Sequence, residues 1–212
     1  MAKRNFDIKK RGIAVRRTKS VYLIITEGKN KTETLYFLNF QNQDNDFIIK
    51  IVKAGNNTDA QSLFKTITDK WNEFGLSESD GDKAFVVVDM DNDQRKAKMV
   101  QDLIRENNNP SLSFIVSNPV FEIWFLLHYR YTTKFYKDGD DVIKDLMSFM
   151  PDYVKNKDCY PYCHDRLHEA IKNCDKLEKY YGSEKWPSVN CNPRTDVGLL
   201  LKILLASDDG TV

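Results

Sequence analysis

The chain has 212 residues, of which 41% are hydrophobic and 30% charged, with a formal net charge of +1. That length can bury a sizeable core as one domain, and the balance is ordinary for a globular protein. No stretch approaches the roughly 20 apolar residues needed to span a bilayer. No apolar signal segment opens the chain, so a cytoplasmic protein with four reduced cysteines is expected.

The charge is unevenly placed. Residues 1–19 carry eight basic residues against Asp7, a net +7, which leaves −6 for the remainder. A basic arm on an acidic body is the pattern of a nucleic-acid-binding tail, and a solvated terminus is its bland alternative. Arg11, Arg16, Arg17 and Lys19 are the arm residues expected to meet DNA or RNA.

The arm leads into Val21–Thr26, a short apolar run that reads as a buried parallel strand and ends in Thr26-Glu27-Gly28. A helix is predicted from about Lys31 to Asn42, with Asn30 and Glu33 spaced as in a capping box. Lys29 and Lys31 flank Glu27 and could meet phosphate. A second strand is predicted at Phe47–Lys53, then a turn at Gly55-Asn56-Asn57. Thr58 and Gln61 open a second helix, with Leu63, Phe64, Ile67 and Trp71 on one face.

The third strand, Ala84–Val88, runs into Asp89, Asp91 and Asp93. Side chains alternate along a strand, so Asp89 and Asp91 are expected on one side. Carboxylates so clustered raise one another's pKa unless a cation neutralises them, and oxygen ligands suit Mg²⁺ or Mn²⁺. Asp93 is a candidate third metal ligand or a helix N-cap. A charged helix follows from about Asp93 to Asn107, broken by Asn108-Asn109-Pro110, and a fourth strand is predicted at Leu112–Val116.

Beyond Ser117 the pattern turns helical. Asn118 as N-cap and Pro119 at the first helical position would start a buried helix over Phe121–Leu127, in which Glu122 is the only acid. His128 reads as a hydrogen-bonded core histidine. Helices are predicted at Asp140–Met150 and Arg166–Tyr180, and a last one near Thr195 or Asp196, with Thr195 as its cap. Cys159, Cys163, His164 and His168 are loosely spaced for zinc, but Cys163 and His164 are adjacent, which disfavours a tetrahedral site.

The expected fold is therefore α/β, with about four mainly parallel strands flanked by helices and a helical C-terminal half. The expected organisation is a basic arm (1–19), a core (20–130) and a helical extension packing on it (131–212). In an open α/β sheet ligands bind beyond the carboxyl ends of the strands, so Glu27 and the Asp cluster should share one crevice.

Three stretches carry a family resemblance: ITEGKNKTETLYF (Ile25–Phe37), FVVVDMDND (Phe85–Asp93) and SNPVFEIWFLLHY (Ser117–Tyr129), with NPRTDVGLL (Asn192–Leu200) a shorter fourth. Together they resemble the RloB-like family of bacterial defence-associated proteins, whose core is Toprim-like. The resemblance implies that Glu27 acts as general acid/base or metal ligand. It also implies that Asp89, Asp91 and Glu122 belong to the site, that Asp93 continues the acidic motif, and that Arg194 or Asp196 lies nearby. The activity implied is metal-dependent cleavage of phosphodiesters in DNA or RNA, in anti-phage defence and alongside other proteins of a defence system. A non-catalytic nucleic-acid or nucleotide-binding module and a nucleotidyl transferase remain open alternatives, because all three use the same carboxylates.

Overall fold

The computed structural model describes residues 19–27 and 32–206. The first strand, β1 (Ser20–Thr26), is buried from Val21 onward, as its apolar run requires. Then follow α1 (Thr32–Leu38), β2 (Phe47–Ile51), α2 (Ala60–Glu73), β3 (Lys83–Asp89), α3 (Gln94–Glu106) and β4 (Leu112–Asn118). A short 3-10 turn, Glu78–Asp80, leads into β3. The C-terminal half adds α4 (Glu122–Leu127), α5 (Gly139–Leu146), α6 (Tyr160–Cys163), α7 (Leu167–Tyr181), β5 (Arg194–Thr195) and α8 (Val197–Ala206).

The sheet order is β2-β1-β3-β4-β5. The first four strands are parallel, and β5 pairs antiparallel with the end of β4. This is the Toprim-like α/β arrangement expected, with a fifth strand beyond the four that the sequence predicts. A two-residue strand has no periodicity to recognise. Arg194 and Thr195 are drawn into the sheet by pairing with Asn118 and Ser117. Thr195 is accordingly a strand residue: its hydroxyl bonds Ser117 Oγ at 2.8 Å and only weakly meets the first amide of α8.

Strand alternation divides the core into two layers. Tyr22 and Ile24, Phe85 and Val87, and Ile115 face α1, α4 and the C-terminal helices. Val21, Leu23 and Ile25, Ala84, Val86 and Val88, and Phe114 and Val116 face α2 and α3. Leu63, Ile67 and Trp71 of α2 and Ala97, Val100 and Leu103 of α3 cover that second face. The cap of α2 is Asp59, which accepts the Ser62 amide at 3.0 Å, in place of the expected Thr58 start.

All six residues of α4 are buried. The helix packs on α5, α7 and the end of β4, and α7 in turn carries α8. The last two approach closely at Gly198, where a Cβ would lie 2.9 Å from that of Cys174. The start of α4 differs from expectation. Asn118 is the last residue of β4, and its side chain accepts the Asn92 amide and donates to Cys191 O, so it is not free to cap. Phe121 occupies the cap position without a side-chain bond. No described helix is long and apolar enough to cross a membrane.

Candidate metal and phosphate site

Glu27 follows β1 directly. Its amide bonds Val87 O at 3.1 Å, continuing the ladder with β3. One carboxylate oxygen, Oε2, accepts the Asp89 amide at 3.0 Å. The other, Oε1, receives Lys96 Nζ at 2.6 Å. The acid thus closes the end of the neighbouring strand and holds a cation in one gesture.

Asp89 continues the Phe85–Val87 row, towards α1 and α4. The alternation does not extend to Asp91, because β3 ends at Asp89 and the chain turns. Asp91 and Asn92 both adopt left-handed backbone, with φ of 50° and 56°. The turn carries Asp91 to the α3 side, where its Oδ2 also accepts Lys96 Nζ at 2.6 Å. Asp89 and Asp91 are therefore not on one side of a strand, although both border the same crevice.

The turn is pinned from the C-terminal half. Asn92 Nδ2 donates to the carbonyls of Tyr136 and Lys137, and Asn192 Nδ2 donates to Asn92 Oδ1 at 2.6 Å. The Asp91 amide donates to Pro119 O at 2.8 Å. These bonds fix a strained loop that propensity alone would not hold.

On the other side of Asp89 lie two further acids. Glu122 is only 4% exposed and accepts the Tyr153 hydroxyl at 2.7 Å, with Lys155 Nζ at 3.7 Å. Glu33 of α1 places Oε2 in the protein with no hydrogen-bond partner. Burial, countered by its own backbone hydrogen bond and raised further by the charge of Glu122, moves the Glu33 carboxyl up to about 7. Asp89 is half-buried at the crevice. Burial first, then the charges of Glu122, Glu33, Glu27 and Asp91, push it well above the usual carboxylate range. Burial opposes the charge of Lys96, but its bonds to Asp91 and Glu27 raise it to about 12.

Five carboxyl groups thus interact through Asp89. The donor set is all oxygen, the chemistry a hard divalent cation takes. Among the described residues, no group of three His, Cys, Asp or Glu side chains is placed to hold one ion as it stands. A cation already sits between two of the acids, as the ammonium of Lys96, and the unpartnered Glu33 oxygen is a further open ligand. In chemistry, though not in the spacing shown, the donors suit a divalent cation: Glu27 and Asp91 on the α3 side, Glu122 and Glu33 on the α4 side, and Asp89 between.

The remaining candidates divide. Asp93 is the N-cap of α3. Its carboxylate accepts the Arg95 amide at 2.7 Å and pairs with the Arg95 guanidinium, which holds it below the ordinary range. It is committed to the helix rather than to the crevice. Asp196 bonds the Val116 amide and Trp186 Nε1, and the Arg194 guanidinium lies 4.6 Å from the Trp186 ring centre. Both serve the β4–β5 junction. His128 Nδ1 donates to Trp124 O at 2.9 Å, and the ring lies in the core as expected. Lys19 donates to Gln43 O at 2.7 Å. Lys29, Lys31, Arg11, Arg16 and Arg17, and the Asn30 of the expected capping box, lie outside the described residues.

Three further residues, Lys96, Tyr153 and Lys155, join the site. Lys96 precedes Val100 by four residues, so it lies on the edge of the sheet-facing stripe of α3, which is a readable signal. Glu33 shares the face of Tyr36 and Phe37 in the same way. Tyr153 and Lys155 sit in irregular chain after α5, where no periodicity marks them.

No curated protein and no solved structure matches the chain. A family model does, the RloB-like protein model, over residues 22–204. That span contains both strand-end acids, the buried Glu122 and the β4–β5 junction, and on it the chain belongs to the RloB-like protein family.

Proposed function

We propose that this chain is a divalent-metal-dependent nuclease that cleaves phosphodiesters in DNA or RNA, in a cytoplasmic anti-phage defence system with other protein members. The observation that carries the reading is the gathering of Glu27, Asp91, Asp89, Glu122 and Glu33 around the ends of β1 and β3. This cluster concentrates acids where a parallel sheet presents its ligands, and a bound cation relieves their mutual repulsion.

A bound Mg²⁺ or Mn²⁺ would polarise the phosphoryl oxygen and supply an activated water. Glu27, Asp89 and Asp91 would hold it, with Glu122 and Glu33 available to a second ion or to orient the water. Tyr153 fixes Glu122 by a hydrogen bond, so that this acid keeps one orientation. Lys96 and Lys155 supply positive charge on the two sides, suited to the phosphate oxygens. No side-chain nucleophile is needed for such hydrolysis.

The test is incubation of the full chain with labelled single- and double-stranded DNA and RNA, with Mg²⁺, with Mn²⁺ and with chelator. Cleavage that needs the metal and vanishes in Asp89→Asn supports the reading. Metal-dependent binding without cleavage of any of the four substrates would return the site to a binding module.

A further inference from the structure

Lys96 is the most fully engaged ammonium of the site. Its Nζ lies 2.6 Å from Glu27 Oε1, 2.6 Å from Asp91 Oδ2 and 3.3 Å from Asp89 O. A lysine ammonium has three donors and no acceptor. All three are therefore spent on the two acidic strand ends, and none is left for a phosphate. The ammonium also lies between the two carboxylates that a divalent cation would need to bring together.

We propose that Lys96 is the resident counter-cation of the metal-free site, and that a divalent ion must displace it, which frees its ammonium to receive a phosphate of the substrate. The proposal rests on the metal-dependent reading above and adds a regulation to it: metal and nucleic-acid backbone bind cooperatively through one side chain.

The surroundings favour exchange over a permanent salt bridge. All three side chains are reached by water, with 34% exposure for Lys96, 25% for Glu27 and 52% for Asp91, so the pairs are stabilising but not locked. The nearer acids along α3 have their own bases. Asp93 is held by Arg95, and Asp102 by Arg105 at 2.8 Å with Lys98 at 3.6 Å. Glu106 ends the helix ten residues on, about 15 Å away along its axis. A displaced Lys96 thus meets no unpaired carboxylate of α3 within its reach, and phosphate is the partner its charge then fits. Lysine suits this role better than arginine, being a compact charge on a flexible stem rather than a planar fork fixed to its partners.

The experiment is calorimetric titration of Mg²⁺ into the full-length wild type, Lys96→Gln and Lys96→Arg, with melting temperatures of each in chelator. Binding of a short phosphorothioate oligothymidylate is then measured with and without Mg²⁺. Lys96→Gln should melt lower in chelator, yet bind Mg²⁺ roughly five- to tenfold more tightly, because a competing charge-assisted contact is gone. Lys96→Arg keeps the charge on a fork that holds both carboxylates harder, and should bind Mg²⁺ more weakly than wild type. Mg²⁺ should tighten oligonucleotide binding in wild type, and much less in Lys96→Gln. Equal or weaker Mg²⁺ binding by a folded Lys96→Gln overturns the exchange and leaves Lys96 a merely structural bridge. Absence of Mg²⁺ binding in wild type and both variants overturns the metal reading itself, and the exchange with it.

Discussion

Glu27 reaches from the end of β1 to accept the backbone amide of Asp89 at 3.0 Å. One catalytic candidate is thus held by the main chain that presents the next. The bond sets the spacing of the two strand ends without using the Asp89 carboxyl, which stays available among its neighbours. The same Glu27 side chain also receives Lys96, so α3 is tied to both strands at the crevice. Changes at any of these three residues should be read at the other two.

Asp89→Asn should raise metal-free stability and abolish stabilisation by Mg²⁺. The Asp89 carboxyl is pushed up by burial and by four surrounding acids. Its contribution is therefore fully present at low pH and is lost as pH rises towards the folded-state value. The amide keeps the shape and removes the charge. Thermal melts from pH 5 to 9, with chelator and with Mg²⁺, check both halves. A gain of about 1 kcal/mol corresponds to a rise of roughly 2–4 °C for a chain of this size. An equal Mg²⁺ shift in both proteins would place the ion elsewhere.

Tyr153→Phe should cost about 1–3 kcal/mol, because it strips a hydrogen bond from a buried carboxylate. Urea midpoints measure it. In the Glu122→Gln background the loss should be smaller than the sum of the single changes, since the two groups act on one another. Cleavage should fall in Tyr153→Phe even under conditions where it remains folded, because Glu122 then loses its fixed orientation. Additive losses would show that Tyr153 stabilises the fold independently of Glu122.

Acid should destabilise the protein through His128. Burial, against hydrogen bonds that the ring donates to the Trp124 and Phe125 backbone, lowers this imidazole from 6.5 to about 4. The unfolded chain then takes up the proton first, so the stability is present above pH 6.5 and is lost as pH falls through about 4. The full loss is about 3 kcal/mol. Glu33, raised to about 7, slopes the opposite way above its ordinary range. Comparing wild type with His128→Phe isolates the histidine: the variant should have a flatter curve between pH 6.5 and 4. Parallel curves would assign the acid sensitivity to other groups.

Deleting residues 1–18 removes seven basic residues and one acidic one, and leaves Lys19 with its bond to Gln43. Nucleic-acid affinity should drop and its salt dependence flatten, since each duplex phosphate neutralised adds about 0.9 to the log–log slope. Mg²⁺ binding should be unchanged. Affinity measured across a salt series for both lengths decides the matter. An unchanged slope would return the arm to a solvated tail.

The sequence by itself determined the α/β alternation, because each buried strand is a short apolar run and each flanking helix repeats its apolar residues at 3.6. It placed Glu27 and Asp89 at strand ends, since the runs stop there, and it marked Glu122 as an acid in an apolar helix. Tertiary structure decided the rest. Whether Asp91 lies beside Asp89 depended on where β3 ends, and the asparagine contacts that hold the following turn come from Asn118, Tyr136 and Asn192, far along the chain. Asn118 and Thr195 carry good capping side chains, but pairing in the sheet claims them for β4 and β5. Lys96, Glu33 and Tyr153 became site residues only when α3, α1 and the chain after α5 packed around the ends of β1 and β3. A local pattern specifies which face a residue takes on its own element. It does not specify which other charge that face will meet, because that is set by how the elements pack, through bonds between residues remote in the chain.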